Sequence, residues 1–179
     1  MTPALQALID KQALHELCVT YSRAIDRRDF ALLESLYAPE AHDDHGAMFA
    51  GGTKAYVAFV AGALAAYERT VHYVTQTAFV IAGDTAEGEV HKINFHRTAS
   101  HDIVTGSRSL DRYIRRDGRW LFLSRHVVND WAQKRAVDPA DQDDFAAQAP
   151  RGAAGGEDPS YRLLAGFARH SHDLWGERR

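Results

Sequence analysis

The stretch TGSRSLDRYIRRDGRWLFLSRHVVNDW, residues 105–131, decides the fold of this chain of 179 residues. At its centre lies Asp117-Gly118, a dipeptide that favours the two-residue turn of a β-hairpin. The residues on both sides of the turn are rich in β-branched and aromatic side chains, as is typical of strands. The pattern predicts a strand over Thr105–Arg115 and an antiparallel partner over Arg119–Trp131.

Two further strands precede this hairpin. Residues Thr70–Ile81 are again rich in β-branched and aromatic side chains. Gly83-Asp84 supplies a turn, and Ala86–Thr98 follows as the partner strand. The second half of the chain therefore predicts a meander of four antiparallel strands.

The first half of the chain has helical periodicity. Thr2-Pro3 is a helix start, with threonine as cap and proline in the first turn, and the helix should end at about Ala24–Asp26. Asp29 caps a second short helix, which Pro39 stops.

The segment His42–Ala50 is a short strand or loop that ends at Gly51-Gly52, and Thr53 caps a third helix. Three helices before an antiparallel sheet predict an α+β fold.

The chain divides into one domain over residues 1–135 and a tail over residues 136–179. Val137–Ser160 is rich in Ala, Gly, Asp, Gln and Pro and predicts a flexible connection. Tyr161–Trp175 has a helical apolar pattern, so it should dock on an apolar surface. The docking side chains would be Leu164, Phe167 and Leu174.

Composition limits the classes of function. Hydrophobic residues make up 45%, charged residues 25%, and the net charge is −3 with no basic face, so no nucleic-acid partner is expected. No apolar run predicts a membrane span, and residues 1–4 do not resemble a signal peptide, so we expect a cytoplasmic protein. The single cysteine, Cys18, excludes an internal disulfide and a multi-thiolate metal site. Ten histidines suggest chemistry.

Several segments carry a family resemblance. They are AIDRRDF at 24–30, LYAP at 36–39, RTVHY at 69–73 and YIRRDGRW at 113–120. As a set covering about residues 8–132, they resemble the scytalone dehydratase-like branch of the SnoaL-like, nuclear transport factor 2-like superfamily. The resemblance implies a cone in which helices and a curved antiparallel sheet enclose a pocket.

The resemblance also implies a catalytic pair. In the scytalone dehydratases and the hexachlorocyclohexane dehydrochlorinases, an aspartate and a histidine at these places form a dyad, which here would be Asp26 and His72. A neutral histidine accepts a proton near neutral pH, and a carboxylate on its other nitrogen holds the required tautomer. Taken alone, Asp26 is equally explained as a helix-end carboxylate, and His72 as a hydrogen-bonded strand histidine.

Other residues match the pocket residues of these relatives. His96 matches a second pocket histidine, and His45 replaces a tyrosine that polarises the substrate carbonyl. Arg125 matches an arginine that draws off the leaving anion in the dehydrochlorinases, or else it forms a salt bridge. Ser107 and Ser109 lie near polar strand positions that contact substrate.

Two more residues are candidates for substrate binding from their spacing. Tyr21 lies one and a half helical turns before Asp26, although core packing also explains it. Lys92 shares a strand face with His96, because side chains alternate along a strand. If His96 faces the pocket, Lys92 is a candidate acid or carbonyl-binding group, with a salt bridge at the rim as the alternative.

No metal site is expected. On a strand, His42 and His45 would lie on opposite faces, and the sequence lacks the HExxH spacing of zinc enzymes. The pair His170 and His172 more simply decorates a helix end.

The sequence therefore predicts a cofactor-free lyase. His72 removes a proton from a small aromatic or polyketide-like molecule, Asp26 orients it, and dehydration, another elimination or a carbon–carbon cleavage follows. The alternatives are an isomerase or cyclase, and a non-catalytic ligand-binding or dioxygenase β-subunit-like protein. The resemblance implies a homo-oligomer, either a trimer or a dimer.

Overall fold

The structure is a computed structural model, which describes residues 2–138, 140 and 145–167. The helices are α1 (Pro3–Asp26), α2 (Phe30–Ser35), α3 (Thr53–Leu64), α4 (Phe145–Gln148) and α5 (Pro159–Leu163). The strands are β1 (Tyr37–Asp44), β2 (Ala50–Gly52), β3 (Arg69–Ala82), β4 (Thr85–Arg97), β5 (His101–Arg116) and β6 (Arg119–Ala136). None of the described helices is long and apolar enough to cross a membrane.

The strands form one six-stranded sheet in the order β2-β1-β6-β5-β4-β3. The predicted four-stranded meander is confirmed, and Asp117 and Gly118 adopt the left-handed φ values of 51° and 76° that a tight hairpin turn needs. The fold is the predicted α+β cone with a curved sheet. The sheet is mixed rather than wholly antiparallel, because β1 pairs in parallel with β6.

Strand β1 was not fully predicted. Pro39 was expected to stop the second helix, but α2 already ends at Ser35, and Pro39 lies inside β1. The pairing of β1 with β6 is irregular between Tyr37 and His42, so a residue without an N–H does not interrupt a regular ladder there. The Gly51-Gly52 pair belongs to a strand rather than ending one.

The helix starts follow local capping chemistry. The Thr2 side chain accepts from the backbone N–H of Leu5, and the Asp29 carboxylate accepts from that of Leu32, as predicted. The third helix differs by one residue. Its N-cap is Gly52, and Thr53, predicted as the cap, is the first helical residue and makes no capping bond.

The core lies between α1 and one face of the sheet, here called the inner face. Leu14 and Cys18 of α1 are fully buried, as are Val90, Tyr113 and Phe122 on the strands. Side chains alternate along each strand, so every second residue of β4 and β5 lies on this inner face. The inner face therefore contains Val90, Lys92, Asn94 and His96 of β4, and Ser107, Ser109, Asp111 and Tyr113 of β5.

The tail differs from the single helix predicted over Tyr161–Trp175. Helix α5 ends at Leu163, Leu164 is extended, and a short 3₁₀ turn follows at Ala165–Phe167. Leu164 is 49% exposed in the single chain, so its predicted packing over the pocket mouth or on a neighbouring subunit stays a prediction. Leu174 lies outside the described residues.

The described tail residues contact α1 through an arginine. The Arg23 guanidinium lies 5.2 Å from the ring centre of Tyr161 and 4.7 Å from that of Phe167. Arg23 also donates to the Ser160 hydroxyl at 3.3 Å. The described tail residues are therefore held on α1 by cation–π and polar contacts. The division into residues 1–135 and 136–179 stays a proposal.

Candidate active site

Asp26 and His72 lie in direct contact. The carboxylate Oδ1 of Asp26 is 2.7 Å from Nδ1 of His72, and Oδ2 accepts the backbone N–H of His72 at 2.9 Å. Both side chains are largely buried, with 9% and 14% of their surfaces exposed. The carboxylate thus bonds to both the ring and the backbone of His72, which fixes the position and the orientation of the imidazole.

The end of α1 positions the carboxylate. Asp26 is the last helical residue, and Arg28 adopts a left-handed φ of 53° that turns the chain away. The Arg28 guanidinium donates to the helix-end carbonyl of Ile25 at 2.9 Å and to the Thr70 hydroxyl at 2.8 Å. Because that hydroxyl accepts from Arg28, its own proton points to Asp26 Oδ1, 3.0 Å away.

His96 lies beside the Asp26–His72 pair. Its ring centre is 5.1 Å from that of His72 in an edge-to-face arrangement and 4.9 Å from that of Tyr67. Burial, together with the neighbouring His72, lowers the pKa of His96 to about 4. His96 is therefore neutral at neutral pH and can offer one N–H and one lone pair to a substrate.

Lys92 is buried on the inner face, which excludes the alternative of a salt bridge at the rim. It forms no hydrogen bond or ion pair with any described residue, and its ammonium nitrogen lies 4.4 Å from the ring centre of Tyr21. Burial lowers the pKa of Lys92 to about 7, and the positive charge of Arg125 contributes.

Arg125 is fully buried and lies close to the aromatic rings of Tyr21 and Phe122. Its guanidinium carbon is 4.0 Å from the ring centre of Tyr21 and 4.2 Å from that of Phe122. Nε and Nη2 both donate to Asp111 at 3.0 Å, and Nη2 also donates to Ser109 at 3.1 Å. Nη1 is buried and has no hydrogen-bond partner among the described residues, so one donor is free for a ligand.

His45 belongs to a second acid–imidazole contact. Its Nε2 lies 2.7 Å from Oδ1 of the buried Asp43, although the geometry is not that of a directed hydrogen bond. The Tyr37 hydroxyl donates to Oδ2 of Asp43 at 2.6 Å. The His45 ring stacks on Tyr56, whose hydroxyl bonds that of Tyr21. His45 therefore joins the polar cluster around Tyr21 rather than the Asp26–His72 pair.

The two predicted serines have different surroundings. Ser107 accepts a hydrogen bond of 2.8 Å from the Asn94 amide, whose own oxygen is buried and unpaired among the described residues. Ser109 donates to Asp111 and accepts from Arg125, so its hydrogen bonds stay within the protein. Of the two, Ser107 is better placed to contact a substrate.

The residues that sequence reasoning missed are Thr70, Asn94, Asp111, Asp43 and Tyr56. Alternation along β4 could have found Asn94, since it lies between Lys92 and His96 on one face. Asp111 follows Ser107 and Ser109 at the same spacing. The roles of Asp43 and Tyr56 depend on contacts between distant elements, for which the sequence has no local signal.

No group of three His, Cys, Asp or Glu side chains within the described part of the chain could hold a metal ion. His42 is exposed on β1, whereas His45 lies beyond the strand end.

Surface clefts of about 570 and 840 Å³ lie elsewhere, and neither is lined by Asp26, His72, His96 or Lys92. We locate the site by its buried, hydrogen-bonded polar groups, which a surface cleft alone does not supply.

The fold and the buried acid–imidazole pair define a protein of the small α+β cone class. The sequence matches the SnoaL-like domain family over residues 6–126, and the chain belongs to this family. A search of curated proteins found no match.

Solved structures show the same fold. A proposed scytalone dehydratase from Novosphingobium aromaticivorans is 17% identical, with a TM-score of 0.67 over 84% of this chain and 95% of that one. A hexachlorocyclohexane dehydrochlorinase (LinA type 3) from Novosphingobium barchaimii is 17% identical, with a TM-score of 0.68 over 76% and 95%. A protein of unknown function from Mycobacterium tuberculosis is 24% identical, with a TM-score of 0.66 over 82% and 88%.

Proposed function

We propose that this protein is a cofactor-free lyase that eliminates water or another leaving group from a small aromatic or polyketide-like carbonyl compound. The observation that carries the proposal is the 2.7 Å contact between Asp26 Oδ1 and His72 Nδ1. It is the arrangement that general-base catalysis by histidine requires. The similarity of the fold to a dehydrochlorinase supports the same reaction class.

The geometry supports separate roles for the two ring nitrogens of His72. Because Nδ1 of His72 faces a carboxylate, it carries the ring proton, and Nε2 has the free lone pair. Nε2 therefore removes the substrate proton, and Asp26 stabilises the imidazolium that forms. The same imidazolium can return its proton to the leaving group.

The rest of the cluster suits a substrate that gains negative charge. Nη1 of Arg125 is a donor without a partner in the part of the chain that the structure describes, and neutral His96 offers a further N–H. Donors placed where charge develops stabilise the transition state without moving during the reaction. We assign to Arg125 and His96 the binding of the substrate oxygen or of the leaving anion. Tyr21, His45 and Ser107 would contact the rest of the substrate.

The test uses aryl ketones that carry a hydroxyl or a chlorine on the β-carbon. Wild-type protein should release water or chloride, and His72→Gln should lower kcat on the order of 10²–10⁴-fold. His91→Gln is the matched control, because His91 lies on the outer face of β4 and bonds Glu89. Near-wild-type turnover by His72→Gln would exclude the dyad from the mechanism.

Product and isotope measurements separate the reaction classes. Deuterium at the abstracted carbon should slow an elimination whenever proton removal limits the rate. A carbon–carbon cleavage that begins at a hydroxyl proton should show no such primary effect. Return of the proton to another carbon, with the leaving group retained, would indicate an isomerase instead. Binding without any turnover would indicate a ligand carrier.

We also propose a cytoplasmic homo-oligomer, a trimer or a dimer. The outer face of the sheet supports assembly, because Tyr73, Val80, Leu110 and Trp131 are all at least 42% exposed there.

Turnover should survive exhaustive chelation, because His72 and Asp26 supply the base without a metal. Loss of activity that one divalent metal restores would overturn that part of the proposal.

A further inference from the structure

Lys92 differs from every other lysine of the chain. The sequence has four lysines, and Lys11, Lys54 and Lys134 are all exposed, whereas Lys92 is only 7% exposed. A buried lysine normally has a carboxylate partner. Lys92 forms no ion pair with a carboxylate among the described residues, and its nitrogen lies 4.4 Å from the centre of the Tyr21 ring.

The surroundings of Lys92 favour a neutral amine. The guanidinium carbon of Arg125 also lies 4.0 Å from the centre of the Tyr21 ring, so two cationic groups approach one aromatic ring. Burial is the largest influence and lowers the pKa of Lys92 to about 7, with Arg125 acting in the same direction. Asp111, Cys18 and Asp43 act in the opposite direction and do not outweigh these effects. Lys92 therefore loses its proton more readily than an ordinary lysine does.

Lys92 is close to the proposed base. His72 pairs with Asn94 across the β3–β4 ladder, and Val74 pairs with Lys92. His72 and Lys92 are thus diagonal neighbours on the inner face, a relationship that places Cα atoms about 7–8 Å apart. A molecule of a few carbon atoms spans that distance, so one substrate can contact both side chains.

We infer that Lys92 is a covalent binding residue, whose amine condenses with the carbonyl carbon of an aldehyde or ketone to form an imine. The nitrogen lone pair attacks the carbonyl carbon, the carbinolamine loses water, and a C=N bond replaces C=O. Lysines activated by burial beside another cation are known nucleophiles of this kind. Hydrolysis of the imine returns the free amine.

The imine would deepen the proposed function, on which this part of the inference rests. A protonated C=N group accepts electrons more readily than C=O, so the neighbouring C–H becomes more acidic. His72 removes that proton, an enamine forms, and its electrons expel the leaving group from the β-carbon. If His72 instead takes the proton of a β-hydroxyl, the C–C bond breaks and the iminium accepts its electrons. One covalent intermediate thus serves both elimination and carbon–carbon cleavage.

The test is reductive trapping at pH 7. Full-length protein is treated with propanal or benzaldehyde and sodium cyanoborohydride, and the modified lysine is identified by peptide mass mapping. An ordinary lysine with a pKa near 10.4 is neutral for well under about 0.1% of the time at pH 7. We therefore expect Lys92 to be labelled at least about tenfold faster than Lys11, Lys54 or Lys134. The Lys54→Met protein should keep this label.

Two variants separate nucleophile from cation. Lys92→Arg keeps a positive charge over Tyr21 but cannot form an imine, and it should lose both the preferred label and turnover. His72→Gln should keep the label and lose turnover, so trapping and base catalysis are measured independently. Labelling spread evenly over the exposed lysines of the wild type, or full turnover by folded Lys92→Arg, would overturn the imine. Either result would leave the His72 proposal intact.

Discussion

The carboxylate of Asp26 binds His72 twice, through the ring Nδ1 at 2.7 Å and through the backbone N–H at 2.9 Å. A carboxylate that bonded only to the ring would leave the backbone of β3 free to shift relative to α1. The double contact ties the last turn of α1 to the start of β3, so the base is oriented by the fold itself.

The first prediction concerns Asp26→Asn. An asparagine can keep the contact but presents either an amide or an oxygen to Nδ1, which favours the wrong tautomer of His72. We expect kcat to fall by roughly 10²–10⁴-fold, and the double variant with His72→Gln to be little worse than either single one. Losses that multiply in the double variant would show that the two residues act separately.

The second prediction concerns Thr70, a positioning residue. Thr70→Val removes the hydroxyl that accepts from Arg28 and donates to Asp26. The loss of these hydrogen bonds costs about 1 kcal/mol, so kcat should fall by about fivefold with KM nearly unchanged. Thr70→Ser should restore the rate because it restores the hydroxyl. If the serine variant is as slow as the valine variant, the hydroxyl is not responsible.

The third prediction concerns the pH dependence of stability through His96. The groups that face it are His72, Asp26 and Arg28, and its pKa is about 4 rather than the ordinary 6.5. Above about pH 6.5, His96 is neutral in both the folded and the unfolded protein. Between 6.5 and 4 the unfolded chain binds a proton that the folded protein does not, so the free energy of unfolding falls as pH falls.

His96→Gln removes this contribution. Urea unfolding between pH 7 and 4 should therefore show a smaller loss of stability for the variant than for the wild type. His101→Gln is the control, because His101 lies at the start of β5 and bonds Ser100. Parallel curves for the wild type and His96→Gln would show that His96 titrates normally in the folded protein.

The fourth prediction compares two ion pairs of the sheet. Both Arg125 and Asp111 are fully buried, whereas the side chains of Arg112 and Glu87 are each 70% exposed. Asp111→Asn leaves the Arg125 charge without a counter-charge and should lower the free energy of unfolding by about 3–5 kcal/mol. Glu87→Gln should change it by at most about 1 kcal/mol. Equal effects in urea unfolding would contradict the burial of the Arg125 charge.

The fifth prediction concerns the tail. Arg23→Gln removes the cation that contacts Tyr161 and Phe167. Limited proteolysis should then cut residues 145–167 faster, while thermal unfolding of the main domain changes little. Lys11→Gln, on an exposed position of the same helix, should leave the cleavage rate unchanged. If Arg23→Gln is cut no faster than the wild type, other contacts hold the tail.

Local signals predicted most of the main elements. The Asp117-Gly118 turn and the alternation of the flanking strands act over a few residues, so they are legible in the sequence. Strand β1 was only partly predicted, because it contains a proline and its partner β6 lies about eighty residues away. A parallel pairing over that distance leaves no local pattern in the sequence, because no tight turn joins the two strands and only the folded chain brings them together.

Asp26 and His72 were proposed from a family resemblance, and their contact joins residues 46 positions apart. The sequence by itself determined which side chains of β4 share a face, because the alternation of a strand requires it. Only the tertiary structure decided that Lys92 is buried without an ion pair to any described residue and that Arg125 pairs with Asp111. Burial and ion pairing depend on which elements cover a face and on the register between strands, and both are properties of the packed chain.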